Sequence, residues 1–366
     1  MNHSLRFAGS YLDGDVDFLL KRLPQADFVD VADKEALIQS GRRHYSQMLS
    51  PESVPSARYM AVFEEACRAN NARMAQDCLR LAALISARHA GAITLVSLAR
   101  AGTPVGVVVA RLLREVFGRA ALHYSVSIVR DRGLDAAALR HILAQGHAPE
   151  SIVFVDGWTG KGVIARELAQ SVRAFNASEA THIDSGLYVL SDLAGAAACA
   201  ASGEDYLIPS SILNATVSGL VSRTVLDERI GPQDFHGCVY YGEYAQHDQS
   251  QRFADALVAL AAAQAATGLP APVALDAELA RQASRACMAR AMAAYGIQDV
   301  NLIKPGIGEA TRVLLRRVPR LLVLRASGAA DVAHLEALAE EKQVSVEIDP
   351  SLPYHAVSLI RNALDG

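Results

Sequence analysis

Apolar positions in the first third of the chain recur at helical spacing. Met60, Phe63, Ala66, Met74, Leu79, Leu81 and Leu84 predict one helix from Arg58 to about Arg88, with Asn70 and Asn71 on its exposed side. The pattern then changes. Short apolar runs at Ile93–Leu98, Tyr124–Val129 and Ile152–Val155 are each followed by a glycine-bearing turn and then by helical spacing, and Gly186–Leu190 reads as a fourth strand. Fully apolar strands alternating with helices predict right-handed βαβ units in a parallel sheet covered on both faces. Ligands on such sheets bind where strands end and helices begin.

From Ser202 to Asp248 the periodicity lapses into a polar stretch with interspersed aromatics, a length of loop that more often carries function than decoration. A helix from Gln251 to Ala266, the breaker-rich segment TGLPAPVALD and a helix from Asp276 to Tyr295 follow. A smaller alternation closes the chain: a helix at Ile307–Arg317, a strand at Leu321–Leu324, a helix at Asp331–Glu341, a strand at Val344–Ile348 and a helix from Tyr354. The expected fold class is α/β. A Rossmann-like parallel sheet occupies residues 1–268, a linker and connecting helix 269–295, and a small α/β domain 296–366. There is no internal repeat.

With 366 residues, 51% hydrophobic and 20% charged, the chain can bury a large core. A net charge of −4 excludes uniform attraction to nucleic acid, so such binding needs a local basic patch. The segment from Ile303 to Ala326 supplies one, with Lys304, Arg312, Arg316, Arg317, Arg320 and Arg325 against the single acid Glu309. Five cysteines without a C-x-x-C pair argue for reduced thiols rather than a disulfide frame or zinc site. The opening MNHSLRFAGSYLDGDVDF has no apolar signal core and no run suits a membrane span, so a cytoplasmic protein is expected.

The sharpest chemical signal is SIVFVDGWTGKG. A buried strand ends in Asp156, and Thr159, Gly160 and Gly162 form a tight turn at a helix start, where free N–H groups, a hydroxyl and close backbone approach can cradle a phosphate. Asp156 can hold ribose hydroxyls or Mg²⁺. The plainer reading is a capped βα turn. A second such turn, LVSLARAGTPVG, places Arg100 just ahead of Gly102, and SIVRDRGLD places Arg130 and Arg132 in a loop that either closes over an anion or stays solvated.

The strand-acid-Thr-Gly turn resembles the 5-phosphate loop of type I phosphoribosyltransferases, and LARAG their pyrophosphate loop. The longer runs GSYLDGDVDFLLK, QSGRRHYSQMLSPE, HYSVSIVRDRGLD, EDYLIPSSILNATVSGLVSR and DFHGC resemble a bacterial phosphoribosyltransferase-like family of tellurite-resistance stress operons. That family carries a C-terminal Pelota-type RNA-binding domain and also bears the label StiP cysteine protease. The resemblance covers nearly the whole chain. It implies transfer of phosphoribosyl from Mg²⁺-bound phosphoribosyl pyrophosphate (PRPP) to a base or base-like acceptor, in the making of a stress-linked ribonucleoside. Arg100, Ala101, Gly102, Thr103, Asp156, Gly157, Trp158, Thr159, Gly160, Lys161 and Gly162 would bind PRPP. Asp156, Arg130 and Arg132 would act in catalysis, with Asp156 on the metal, and the acceptor would be met from Tyr206–Arg223. Asp156 is followed by Gly157 rather than by the second acid usual in that motif; Asp131, Asp135 or Asp192 would have to supply it. The Pelota-type block IKPGIGEATRVLLRR implies RNA contacts from Lys304, Gly306, Gly308, Arg312, Arg316 and Arg317. A homo-oligomer is a further expectation.

Two other functions fit the same residues. One is a non-catalytic RNA-binding regulator that senses PRPP. The other is a cysteine peptidase using Cys238 with His236, two residues apart in DFHGC and therefore on one face of an extended segment, with Asp234 close by.

Overall fold

The computed structural model describes residues 7–24, 28–30, 33–34, 37–38, 40–50 and 52–361. Within the run QSGRRHYSQMLSPE, Gln39 and Pro51 lie outside the described residues, as do the extreme ends of the two expected domains. The central sheet contains β1 (Asp17–Leu19), β3 (Ile93–Ala99), β4 (Ala121–Val129), β6 (Ile152–Thr159), β7 (Leu187–Asp192) and β8 (Cys199–Ser202), all parallel in the order β1-β4-β3-β6-β7-β8. A short β5 (Gly133–Leu134) pairs antiparallel with β4, and β2 (Lys21–Arg22) forms a separate two-residue ribbon with β9 (Gly237–Cys238). The α/β class and the mostly parallel sheet are thus as expected.

The apolar runs become central strands because both faces are covered. Along β3, Ile93 and Leu95 face one core and Val96 and Leu98 the other; along β6, Val153 and Val155 alternate likewise with Ile152 and Phe154. The first core is completed by α1 (Ala57–Arg88), α2 (Thr103–Glu115) and α5 (Ser250–Thr267), the second by α3 (Ala136–Ala144) and α4 (Val163–Glu179). The predicted long helix is α1. It starts at Ser56, whose hydroxyl accepts from the Tyr59 N–H at 3.3 Å, and it buries Phe63, Met74, Cys78, Leu81 and Ile85. From β3 the chain steps outward to β4 and then returns to β6 on the other side of β3. The strand order therefore reverses between the C-terminal ends of β3 and β6, and a crevice opens there.

The C-terminal unit has a mixed sheet, β10 (Ile303–Pro305), β13 (Ala356–Ile360), β11 (Pro319–Leu324) and β12 (Val346–Ile348), in that order. Helices α7 (Ile307–Arg316) and α8 (Ala333–Glu341) accompany it, and α6 (Ala277–Tyr295) packs Cys287, Met288 and Ala291 against Leu321, Val323 and Leu359. Ala310 and Leu314 on α7 join the same continuous core as α1 and α2, so this unit is docked on the body rather than tethered to it. The helix expected from Tyr354 is instead β13, a central strand with all five residues buried. A short apolar run with Val and Ile flanked by neighbours on both sides fits a buried strand as well as a helix by periodicity, and pairing decides it. The strand β8 gave no signal, because its small residues lack the β-branched and aromatic side chains that mark strands.

Candidate functional site

A cavity of about 910 Å³ opens at the reversal point of the sheet and is walled on its far side by the C-terminal unit. The body contributes Arg100, Ala101, Arg130, Asp156, Trp158–Gly162 and Arg223, together with Tyr45, Glu52 and Asn214 from the irregular segments. The C-terminal unit contributes Asp299, Asn301, Lys304, Glu309, Arg312, Arg316 and Arg317.

The two glycine turns reach this cavity differently. At the end of β3, the Gly102 and Thr103 N–H groups already donate to Leu98 O and Arg100 O, each at 3.0 Å. Arg100 donates to Glu52 Oε1 at 2.7 Å, Val221 O at 3.0 Å and Asn214 Oδ1 at 3.0 Å, so its guanidinium fastens the irregular segments to the sheet. Gly102 is required by close approach: a Cβ there would lie 2.9 Å from Val155 O and 3.0 Å from Leu98 N. Gly102→Val is therefore expected to destabilise the chain by about 2–3 kcal/mol, read as a lower urea midpoint with an unchanged slope. An unchanged midpoint would show that β3 and β6 do not need this approach.

At the end of β6, the Thr159 hydroxyl donates to Asp192, whose Oδ1 also accepts from Ala194 N and Ala196 N and whose Oδ2 accepts from Ala197 N. Gly162 caps α4 in the left-handed region (φ 66°), with space for a Cβ taken by Ala196. Between them Lys161 donates to Val300 O at 2.7 Å and Ile303 O at 2.9 Å, which staples the turn to the C-terminal unit. Burial and the neighbouring Lys304 ammonium pull the Lys161 pKa down to about 7. Burial also raises Asp156 to about 6, although Gly157 N donates to its Oδ1 at 2.8 Å. Arg130 reaches the cavity, 5.4 Å over the Tyr45 ring and 3.2 Å from Asn301 Oδ1, whereas Arg132 is exposed and Gly157 and Thr103 lie outside the wall.

The basic stretch of the C-terminal unit turns inward. Arg316 is half-buried and donates through Nη2 to Ser211 O, Ile212 O and Leu213 O at 2.8, 2.8 and 2.9 Å; desolvation lowers its pKa to about 9. Arg312 lies 4.4 Å over the Trp158 ring and pairs with Glu309 at 3.1 Å. The Gly306–Ile307 lead-in of α7 is held by Asp205, which accepts from Ile307 N through Oδ1 and from His355 N through Oδ2, both at 2.8 Å. The sequence assigned these arginines to an RNA-contacting patch; in the fold Arg312 and Arg316 face the body. Arg223, Glu52, Tyr45 and Asp205 lie in runs that the sequence marked, but no role could be read for them individually, because each stands in an irregular stretch and acquires its partners from far along the chain.

The thiols are elsewhere. Cys78, Cys199, Cys238 and Cys287 are buried and Cys67 is half-buried. Burial pushes both Cys67 and Cys238 up to about 12. His236 is 2.8 Å through Nδ1 from Ser127 Oγ, its backbone N–H donates to Asp135 Oδ2 at 2.6 Å, and burial lowers its pKa. Asp234 is turned away to Lys21, at 2.7 Å.

Comparison with known proteins adds what the geometry leaves open. Residues 9–258 match the family "Tellurite-like stress resistance cysteine protease StiP", and residues 282–362 match the PELOTA RNA binding domain. A protein of Acinetobacter baylyi named "Cysteine protease StiP" is 41% identical over 98% of this chain and 96% of its own length. This chain belongs to the StiP family. A solved structure of a mutant C-DES with glycine linked covalently to its PLP cofactor covers 92% of the chain and 89% of its own at 11% identity and a TM-score of 0.24, which carries no argument.

The StiP match corrects the functional expectation. Phosphoribosyl transfer from PRPP to a base gives way to the cysteine protease for which the family and its relative are named, and Mg²⁺ had entered only with PRPP. The physical reason for the error is that a strand ending in an acid and a Thr-Gly turn is a common way to start a helix in any parallel sheet. Here Lys161 and Arg100 are spent on holding segments together. The basic stretch does belong to a Pelota-type domain. Among the described residues no helix is long and apolar enough to cross a membrane.

Proposed function

We propose that the chain is a cysteine peptidase of the StiP type joined to an RNA-binding module. The observation that carries this reading is the end-to-end relation to a protein named as a cysteine protease, together with the Pelota match at residues 282–362. Cys238 is the nucleophile that the fold supports best. Cys67 and Cys78 lie on the long core helix, Cys199 on the central sheet and Cys287 in the C-terminal core, whereas Cys238 lies on the two-residue ribbon β2–β9, which can separate without breaking the main sheet. It is also two residues from an imidazole.

The described arrangement is a resting one. Burial pushes Cys238 up to about 12, which leaves its thiol protonated at neutral pH. Activation requires the 226–240 segment to lift, exposing Sγ and releasing His236 from Ser127 to act as base. The test is a peptidyl electrophile incubated with the full chain, with the adduct located by mass spectrometry. The expected adduct is at Cys238 and is lost in His236→Ala; labelling spread over several cysteines in proportion to unfolding, with no peptide hydrolysis, would overturn the reading.

A further inference from the structure

The peptidase chemistry leaves the large cavity without a role, and its wall is strongly biased in charge. Nine lysines and arginines face four carboxylates, Glu52, Asp156, Asp299 and Glu309. Two of the four are already committed, Glu52 to Arg100 at 2.7 Å and Glu309 to Arg312 at 3.1 Å. Lys304 is enclosed between the two units, and its ammonium has no hydrogen-bond acceptor among the described residues. Arg312 and Arg316 each keep a buried Nε without a partner. Arg130 also pairs with Asp131, at 3.2 Å, yet cations still outnumber carboxylates around the cavity, and an anion would complete the wall.

We propose that this cavity is a binding site for a terminal phosphate monoester, presented on the end of a single-stranded RNA. The volume of about 910 Å³ suits one or a few small groups and excludes a duplex or a strand passing through. A phosphate monoester carries roughly −1.5 to −2 charge at neutral pH, more than each internal phosphodiester, so an end satisfies the wall better than a backbone does. Lys304 and Arg312 approach from the RNA-binding unit, Lys161 and Arg130 from the body. Burial and like charges depress both Lys161 and Lys304, and an incoming anion would oppose that shift.

The RNA source rests on the RNA-binding reading above; the phosphate site does not. The experiment measures binding of the full chain to short oligouridines carrying a 5′-phosphate, a 3′-phosphate or neither, by fluorescence anisotropy, with AMP and inorganic phosphate as competitors. One phosphorylated end should bind about tenfold or more tighter than the bare RNA. Lys304→Gln and Arg130→Gln should each remove most of that preference while melting within a few degrees of the parent. Tight, equal binding of all three RNAs would overturn the cavity site and leave the RNA-binding reading standing. Protection by AMP with no RNA binding would keep the phosphate site and assign it to free phosphate esters. No response to any of these probes would overturn the proposal.

Discussion

Cys238→Ala is expected to lower thiol-dependent peptide hydrolysis by the full chain at least about a thousandfold, because a nucleophile that forms the covalent intermediate has no substitute. Of the remaining thiols, Cys78, Cys199 and Cys287 are buried in α1, β8 and α6, and the half-buried Cys67 has no histidine beside it in the sequence. His236→Ala should cost nearly as much, since the two residues act as a unit and their losses do not add. Folding should change little with Cys238→Ala, because a small buried thiol is replaced by a smaller apolar group. A pH profile provides the independent reading. If the segment lifts, the rate follows a thiol of ordinary acidity near neutral pH; if it stays closed, the rate rises only towards pH 12. Hydrolysis that survives Cys238→Ala and falls in another cysteine variant would move the nucleophile and retain the class.

Arg316→Ala is expected to lower the unfolding free energy by roughly 3 kcal/mol. Truncation leaves the carbonyls of Ser211, Ile212 and Leu213 buried and short of a charged donor, and hydrogen bonds to charged groups are worth about 1.5–3 kcal/mol each without being additive. Relief of the repulsion from Arg312 and Arg100, which burial makes worse, offsets part of that loss. Arg316→Lys should fall between, because an ammonium keeps the charge but its shorter stem ends before the Nη2 position from which the three carbonyls are met. The loss should be localised. Since Arg316 fastens the 211–213 turn to α7, its removal should open the docking face and speed proteolysis in the exposed 268–276 segment. A variant with unchanged melting and unchanged cleavage would show that apolar packing of Ala310 and Leu314 alone holds the two units.

Several features were legible in the sequence because they depend on neighbours close along the chain. The apolar runs at 93–98, 124–129 and 152–155 could only be doubly buried strands, and the turns beginning at Arg100 and Asp156 had to lie at the sheet's C-terminal ends. Both indeed reach one cavity. The spacing of Met60 to Leu84 gave the long helix, and the cluster of arginines after Ile303 marked the Pelota-type unit. The chemistry attached to those turns was misread, because glycine turns of this kind report the architecture of an α/β sheet rather than its reaction.

Direction and partnership were decided by the tertiary structure. The sequence determined that Lys304, Arg312, Arg316 and Arg317 are crowded together; docking of α7 on the body determined that they face inward. It determined that β13 is apolar, while pairing with β10 and β11 on either side made it a strand. It placed Cys238 beside His236 in the chain, while folding turned His236 to Ser127, buried the thiol, and left Asp234 with Lys21. The physical reason is common to all three. Periodicity and turn chemistry are set by residues within a few positions of one another, whereas burial of a charge, the pairing of a strand and the acidity of a thiol depend on groups tens to hundreds of residues away that only the packed core brings into contact.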